Sequence, residues 1–204
     1  MSKQDDSNAC RSCRREFLYA AATGVGAVGA AATAIPFVRA MQPAADTLAA
    51  STTEFDVATV EPGMIKAIIW RGQPIFIVHR TPAMLKEING HDAMLKDPES
   101  RAIPEVESAW MTSDTLRSTR AIRPEYLVIS AVCTHLGCIP TFKPTPGRKD
   151  WGDAVPVDWP GGWLCACHGS LYDLSGRVIK GSPAPFNLHM PPYKYIHDTT
   201  VLIG

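Results

Sequence analysis

The chain has 204 residues, 46% of them hydrophobic, enough to bury one ordinary core with room for a small subdomain. Lys plus Arg number 20 and Asp plus Glu number 20, so no global charge points to nucleic acid or to an acidic polymer. The six cysteines fall into two groups, Cys10 and Cys13 near the start and Cys133, Cys138, Cys165 and Cys167 late; the late four lie within 35 residues, a density that calls for metal or disulfide chemistry.

Residues 1–16 form a basic, polar head that ends in Cys13-Arg14-Arg15-Glu16-Phe17-Leu18. A twin arginine ahead of Phe-Leu is the pattern of a twin-arginine (Tat) export signal, with Cys13 where Ser or Thr is usual. Residues 17–38 come next, 22 residues without a charge, enough to cross a bilayer core of about 30 Å as one helix. Lys3, Arg11, Arg14 and Arg15 precede this span, which leaves the N-terminus cytoplasmic and everything after Arg39 in the periplasm. The expectation is a single-pass protein of a bacterial inner membrane. A cleaved signal peptide is the alternative, but Pro43-Ala44-Ala45 is an imperfect cleavage site and the retained anchor is preferred. Small residues at four-residue spacing (Ala22, Gly26, Ala30) would admit a partner helix, and an Ala-rich composition accounts for them equally well. Cys10 and Cys13 have no partner ligands nearby and read as reduced, inert thiols.

Residues 39–51 are small, polar and aperiodic, a tether or hinge. Eleven residues of it, 41–51, extend to about 36 Å at most, enough for rotation of the domain beyond. The remainder, 52–204, reads as one mostly antiparallel β domain. Residues 64–70 and 74–79 flank Arg71-Gly72-Gln73 as a hairpin. Thr81-Pro82 opens a short helix that stops at Asn89-Gly90. Residues 97–124, with Pro98, Pro104 and Pro124, read as loops with one strand around 109–112. Residues 127–132 form a buried strand, and 193–197 with 200–203 make a terminal hairpin.

The chemistry lies in two short loops, Cys133-Thr134-His135-Leu136-Gly137-Cys138 and Cys165-Ala166-Cys167-His168-Gly169-Ser170. Each supplies a cysteine and a histidine at metal-ligand spacing, together with a spare cysteine. Spacing alone permits a Cys₂His₂ zinc site, and a fully disulfide-bonded module is a third reading. The spare cysteines could bridge the loops, and Gly137 and Gly169 let both bend tightly, which favours an iron–sulfur site with two thiolates on one iron and two imidazoles on the other.

These paired motifs resemble the Rieske iron–sulfur proteins, and the whole chain resembles the Rieske subunit of the cytochrome bc complex (ubiquinol–cytochrome c reductase, complex III). The resemblance implies a β-sandwich base bearing a small cluster-binding subdomain over about 132–186. It implies one [2Fe–2S] cluster, with Cys133 and Cys165 on one iron and His135 and His168 on the other through Nδ1. By the same likeness Cys138 and Cys167 form a disulfide, expected to matter because each loop is short with little core beneath it. Ser170 and Tyr172 match hydroxyl donors to a bridging sulfide and a cysteine sulfur. Pro183-Ala184-Pro185 resembles the loop that covers the cluster's third side, and Leu136 is an exposed tip that docks on cytochrome b. His79, His91, His189 and His197 lack ligand-like neighbours and read as structural.

Three departures accompany the likeness: Ala166 stands where Pro is frequent, Ser182 where Gly is usual, and residues 142–160, with four prolines, form an inserted excursion. The implied function is oxidation of ubiquinol in a dimeric complex. His168 would take a proton as the cluster takes an electron, and the electron would pass to a c-type cytochrome. Its rivals are the Rieske subunit of another exported oxidoreductase, such as arsenite oxidase, and a zinc-stabilised binding module on a membrane stalk.

Overall fold

The computed structural model describes residues 5–42, 51–102 and 111–204. The chain divides into two compact units, residues 1–48 and 49–204.

Among the described residues the first unit is one helix, α1 (Asp5–Ala40), and the turn that follows it. It begins well before the expected apolar span, so most of the basic head is helical too. From Cys13 to Ala40 it is long and apolar enough to cross a membrane, judged by length and composition. Its threonines satisfy their own hydroxyls: Thr33 Oγ1 donates to the carbonyls of Gly29 (3.1 Å) and Ala30 (2.9 Å), and Thr23 Oγ1 to that of Tyr19. Hydrocarbon surroundings would demand such internal pairing. The tether expected over 39–51 falls mainly on residues 43–50, outside the described residues; Arg39 and Ala40 still belong to the helix, and Met41 and Gln42 turn out of it.

Among the described residues the second unit has three antiparallel sheets of three strands, as expected for a mostly antiparallel β head. The strands are β1 (Thr53–Asp56), β2 (Ile65–Trp70), β3 (Gln73–His79), β4 (Tyr126–Ser130), β5 (Thr141–Lys143), β6 (Gly162–Cys165), β7 (Ser170–Tyr172), β8 (Tyr193–Tyr195) and β9 (Thr200–Ile203). The sheet orders are β1-β9-β8, β2-β3-β4 and β5-β6-β7. In the β2–β3 hairpin Trp70 pairs with Gln73, which leaves a two-residue turn at Arg71-Gly72 with φ of 50° and 74°. Two left-handed residues in succession match the right-handed twist of the strands.

β3 is the axis of the domain because both of its faces are buried. Ile75 and Ile77 pack with Val57, Val128, Val201 and Ile203 between two of the sheets. Phe76 and Val78 turn the other way, into a core shared with Leu127, Ile129, Trp163, Tyr172, Leu188 and, at its far end, Cys133 and Cys165. The expectation of little core beneath the two loops is therefore wrong: their first cysteines are members of the largest core cluster, each 2% exposed.

Two further expectations are corrected. Residues 97–124 are not all loop, since Ser113 caps a short helix, α3 (Asp114–Thr119), through its hydroxyl and the amide of Leu116 at 3.3 Å. The strand expected around 109–112 is absent at Met111 and Thr112, and its other half lies outside the described residues. The earlier helix, α2 (Pro82–Glu87), is capped by Thr81 as expected. The segment 142–160, expected as an excursion, begins inside strand β5 (Thr141–Lys143) and carries its own packing: Val155 and Trp159 are buried with Leu95, Leu164, Leu171 and Ile179.

The turn after β7 is held by three fully buried arginines. Arg177 meets the Asp173 carboxylate at 2.7 Å, Asp92 at 3.1 Å, and the carbonyls of Ile88 and Pro98. Arg120 donates to the carbonyls of Ser175, Gly176 and Leu188, and Arg80 to Ser175 Oγ and to the carbonyls of Thr119 and Pro124. Burial pushes the Arg80 guanidinium down to about 10. Removing one member of the buried Arg177–Asp173 pair strands a charge, so Arg177→Met should cost about 3–5 kcal/mol, read as the shift in a chemical unfolding curve.

Candidate metal centre

Both loops are built on the same turn. In the first, which leaves β4, Gly137 N–H donates to the carbonyl of Cys133 at 3.0 Å; in the second, between β6 and β7, Gly169 N–H donates to that of Cys165 at 2.9 Å. Each glycine lies four residues after its cysteine, with φ of 82° and 75°, a region open to glycine at little cost. Histidine occupies the second position after cysteine in one loop and the third in the other. That offset brings His135 and His168 together edge to face, ring centroids 4.8 Å apart.

A disulfide joins Cys138 to Cys167, Cα atoms 6.7 Å apart, as the resemblance implied. The sulfurs of Cys138, Cys165 and Cys167 lie within 4.8 Å of one another, but the bonded pair offers no thiolate. The free thiols of the head are Cys133 and Cys165. Beside them, His135 Nδ1 is buried and accepts or donates no hydrogen bond among the described residues. An orphaned buried nitrogen is costly unless it has a ligand to bind. Two buried sulfurs, this nitrogen and the exposed His168 make a set of soft and borderline donors that could hold iron or zinc.

Tyr172 is the polar hub of the site. Its hydroxyl lies 3.1 Å from Cys133 Sγ and accepts from Thr134 N–H at 3.2 Å. Thr134 Oγ1, also 3.2 Å from that hydroxyl, donates to the carbonyl of Phe186 at 2.6 Å and so ties the first loop to the proline-bearing segment. Burial alone would push the Cys133 thiol up, but hydrogen bonds from Tyr172, the His135 backbone, Cys165 and Ser170 outweigh it and hold the thiol below its usual value. Cys165 is pushed up, by burial and by sharing its proton with Cys133. Burial and the bond to Cys133 likewise push the Tyr172 phenol up.

The third side is the segment 182–186. Ala184 is buried there, while Pro183 and Pro185 are exposed. Ala184 N–H donates to Ser170 Oγ at 3.1 Å. Ser182, which departs from the usual glycine, uses its hydroxyl to accept from Leu171 N–H at 3.0 Å and to donate to the Leu171 carbonyl at 3.3 Å. Leu136 is 70% exposed, as expected of a tip, and Ile139, just past the first loop, and Phe186, on the proline-bearing segment, are exposed apolar groups too. His79 and His91 are structural, the first bonded to the Val60 carbonyl at 2.7 Å and stacked on Tyr126, the second beside Glu87. Sequence reasoning missed Thr134 and Lys96, whose partners are remote in the chain.

Comparison with known proteins gives two family matches. Residues 2–44 match "Ubiquitinol-cytochrome C reductase Fe-S subunit TAT signal" and residues 99–192 match "Rieske [2Fe-2S] domain". The ubiquinol-cytochrome c reductase iron-sulfur subunit of Allochromatium vinosum is 45% identical over 94% of this chain and 88% of its own length. That of Rhodospirillum rubrum is 45% identical over 95% and 92%. Among solved structures, a chain from a hyperthermophilic respiratory Complex III is 24% identical, covering 87% of this chain and 94% of its own, with a TM-score of 0.48.

The disulfide closes a separation of 29 residues. Replacing Cys138 and Cys167 together by alanine should lower stability by about 3–4 kcal/mol under non-reducing conditions, measured by denaturant unfolding. In the presence of reductant the difference from the parent chain should vanish.

Proposed function

The chain belongs to the family of ubiquinol–cytochrome c reductase iron–sulfur subunits, and from that premise we propose how its own residues serve the reaction. It is a subunit of that oxidoreductase and carries one Rieske [2Fe–2S] cluster. Cys133 and Cys165 would hold one iron and His135 and His168 the other, through Nδ1. The observation that carries this assignment is the buried, unpartnered His135 Nδ1 beside two buried free thiols. A site lacking a ligand for it would leave that nitrogen at a cost of about 1–3 kcal/mol.

Bound there, the cluster supplies a one-electron couple, and imidazole in place of thiolate makes reduction easier. The protein's share is to hold sulfur dry and imidazole wet. Cys133 and Cys165 are buried, whereas His168 is exposed, so its outer nitrogen can accept a hydrogen bond from the hydroxyl of ubiquinol. His168 takes the quinol proton as the site gains an electron; each transfer favours the other electrostatically. Tyr172 donates to Cys133 Sγ and stabilises the added negative charge. Leu136 and Pro183, both exposed, dock the head on cytochrome b. The head then turns on the tether of residues 39–51 and delivers the electron to a c-type cytochrome. With α1 as anchor, this head would face the periplasm from a bacterial inner membrane, within a dimeric complex; the twin-arginine match and the apolar length of α1 support that reading. Here 1–16 is the cytoplasmic head, 17–38 the span and 52–204 the periplasmic domain.

The test is an EPR spectrum of the reduced protein with iron and zinc quantified on the same sample. A rhombic signal with average g well below that of all-thiolate clusters, and about two irons per chain, is expected. Zinc with no signal would remove the electron-transfer reading.

Tyr172→Phe should lower the midpoint potential by about 20–60 mV, the value of one hydrogen bond of about 0.5–1.5 kcal/mol in a one-electron couple. The phenol is raised above its ordinary 10.0, so it keeps its proton and its donor role below that pH. Redox titrations of parent and variant should therefore fall together as pH rises, with a constant offset up to about pH 10.

A further inference from the structure

Lys96 lies outside both loops and outside the proline-bearing segment, yet it reaches the site. Its backbone is fixed by antiparallel pairing: Lys96 N–H donates to the Val178 carbonyl at 3.0 Å, Lys180 N–H donates to that of Met94 at 2.7 Å, and Leu95 faces Ile179 between them. From that position the Lys96 ammonium donates to two carbonyls, those of Ser182 at 2.7 Å and Ala184 at 2.8 Å. These carbonyls bracket Pro183. On the other side of the same peptide segment, Ala184 N–H donates to Ser170 Oγ.

A serine hydroxyl has one proton to give and two lone pairs. With Ala184 N–H on a lone pair, the proton of Ser170 is free for a sulfur acceptor, and Ser170 is the cross-strand partner of Cys165 between β6 and β7. We infer that Lys96 is a positioning residue for the redox centre: by clamping the carbonyls on either side of Pro183 it fixes the Ala184 amide, and that amide aims the Ser170 hydroxyl at the sulfur side of the site. The inference rests on the reading of Ser170 as a donor to the cluster. Two charge-assisted hydrogen bonds from one cation to loop carbonyls two residues apart brace a segment that has two exposed prolines and no strand. Lys96 is exposed at the domain surface, so its replacement leaves the core intact.

The experiment is an EPR-monitored redox titration of the assembled complex, with parent, Ser170→Ala, Lys96→Met, Lys96→Arg and the Ser170→Ala/Lys96→Met double variant. Ser170→Ala is expected to lower the midpoint potential. Lys96→Met should shift it the same way, changing the oxidised-to-reduced ratio at fixed potential about threefold. Lys96→Arg should restore most of that shift, and Lys96→Met should add nothing in the Ser170→Ala background. The shift should persist at about 1 M salt, where a bare surface charge is screened within about 3 Å.

If Ser170→Ala lowers the potential and Lys96→Met does not, the positioning role is overturned while the donor reading of Ser170 stands. If Ser170→Ala has no effect, the donor reading itself falls. Additive shifts in the double variant, or a Lys96 shift abolished by salt, would also overturn the role by showing an independent charge effect. Should Lys96→Met fail to retain iron, Lys96→Gln, whose amide reaches a single carbonyl, is titrated in its place and should give a smaller shift of the same sign.

Discussion

The head of this protein is organised around a conflict of solvation. Two sulfurs are held out of water, while an imidazole on the adjacent turn is exposed to it. Cys133 and Cys165 resolve the first demand by being rooted in the largest hydrophobic cluster, alongside Trp163, Tyr172 and Leu188. His168 resolves the second because its loop leaves β6 and returns as β7 within four residues, so the tip has no room to be buried. The glycines Gly137 and Gly169 permit that return, and a longer or stiffer turn would either sink the imidazole or lift the cysteine.

So short a loop can present its ligands only if the strand beneath it is immobile. That role falls to a charged frame rather than to apolar packing alone. Arg80, Arg120 and Arg177 converge on the turn after β7 and satisfy carbonyls that lie outside the sheets. Buried carbonyls without partners are expensive, and a guanidinium carries donors enough to serve several at once. Gly162 shows how close the packing is: a Cβ there would lie 2.1 Å from the Tyr172 carbonyl. The ligand loops therefore stand on a base with little freedom to yield.

How much could be read in the sequence depended on the reach of each signal. The paired Cys and His motifs, the two hairpins and the capped helix α2 were legible because each is written within a few residues. The disulfide was legible only through family likeness. Helix α3 was missed because its single cap, Ser113, sits in a proline-rich stretch without apolar period. The core under the loops could not be read either, since it joins Phe76 and Val78 to cysteines that lie far along the chain. Thr134 and Lys96 carried no local mark, and their meaning depends on carbonyls 52 and, for Lys96, 86 and 88 positions away. The excursion over 142–160 read as an insertion, and its buried Trp159 shows a segment that is packed.

The bridge between Cys138 and Cys167 acquires a place in time when set beside the twin-arginine segment. That route carries finished cargo, and a reducing cytoplasm disfavours the bond. For a head assembled before export, both loops must already hold their shape through the core beneath them and the Tyr172 hub. On that route the disulfide would form after transit, across loops already shaped by the core and the hub.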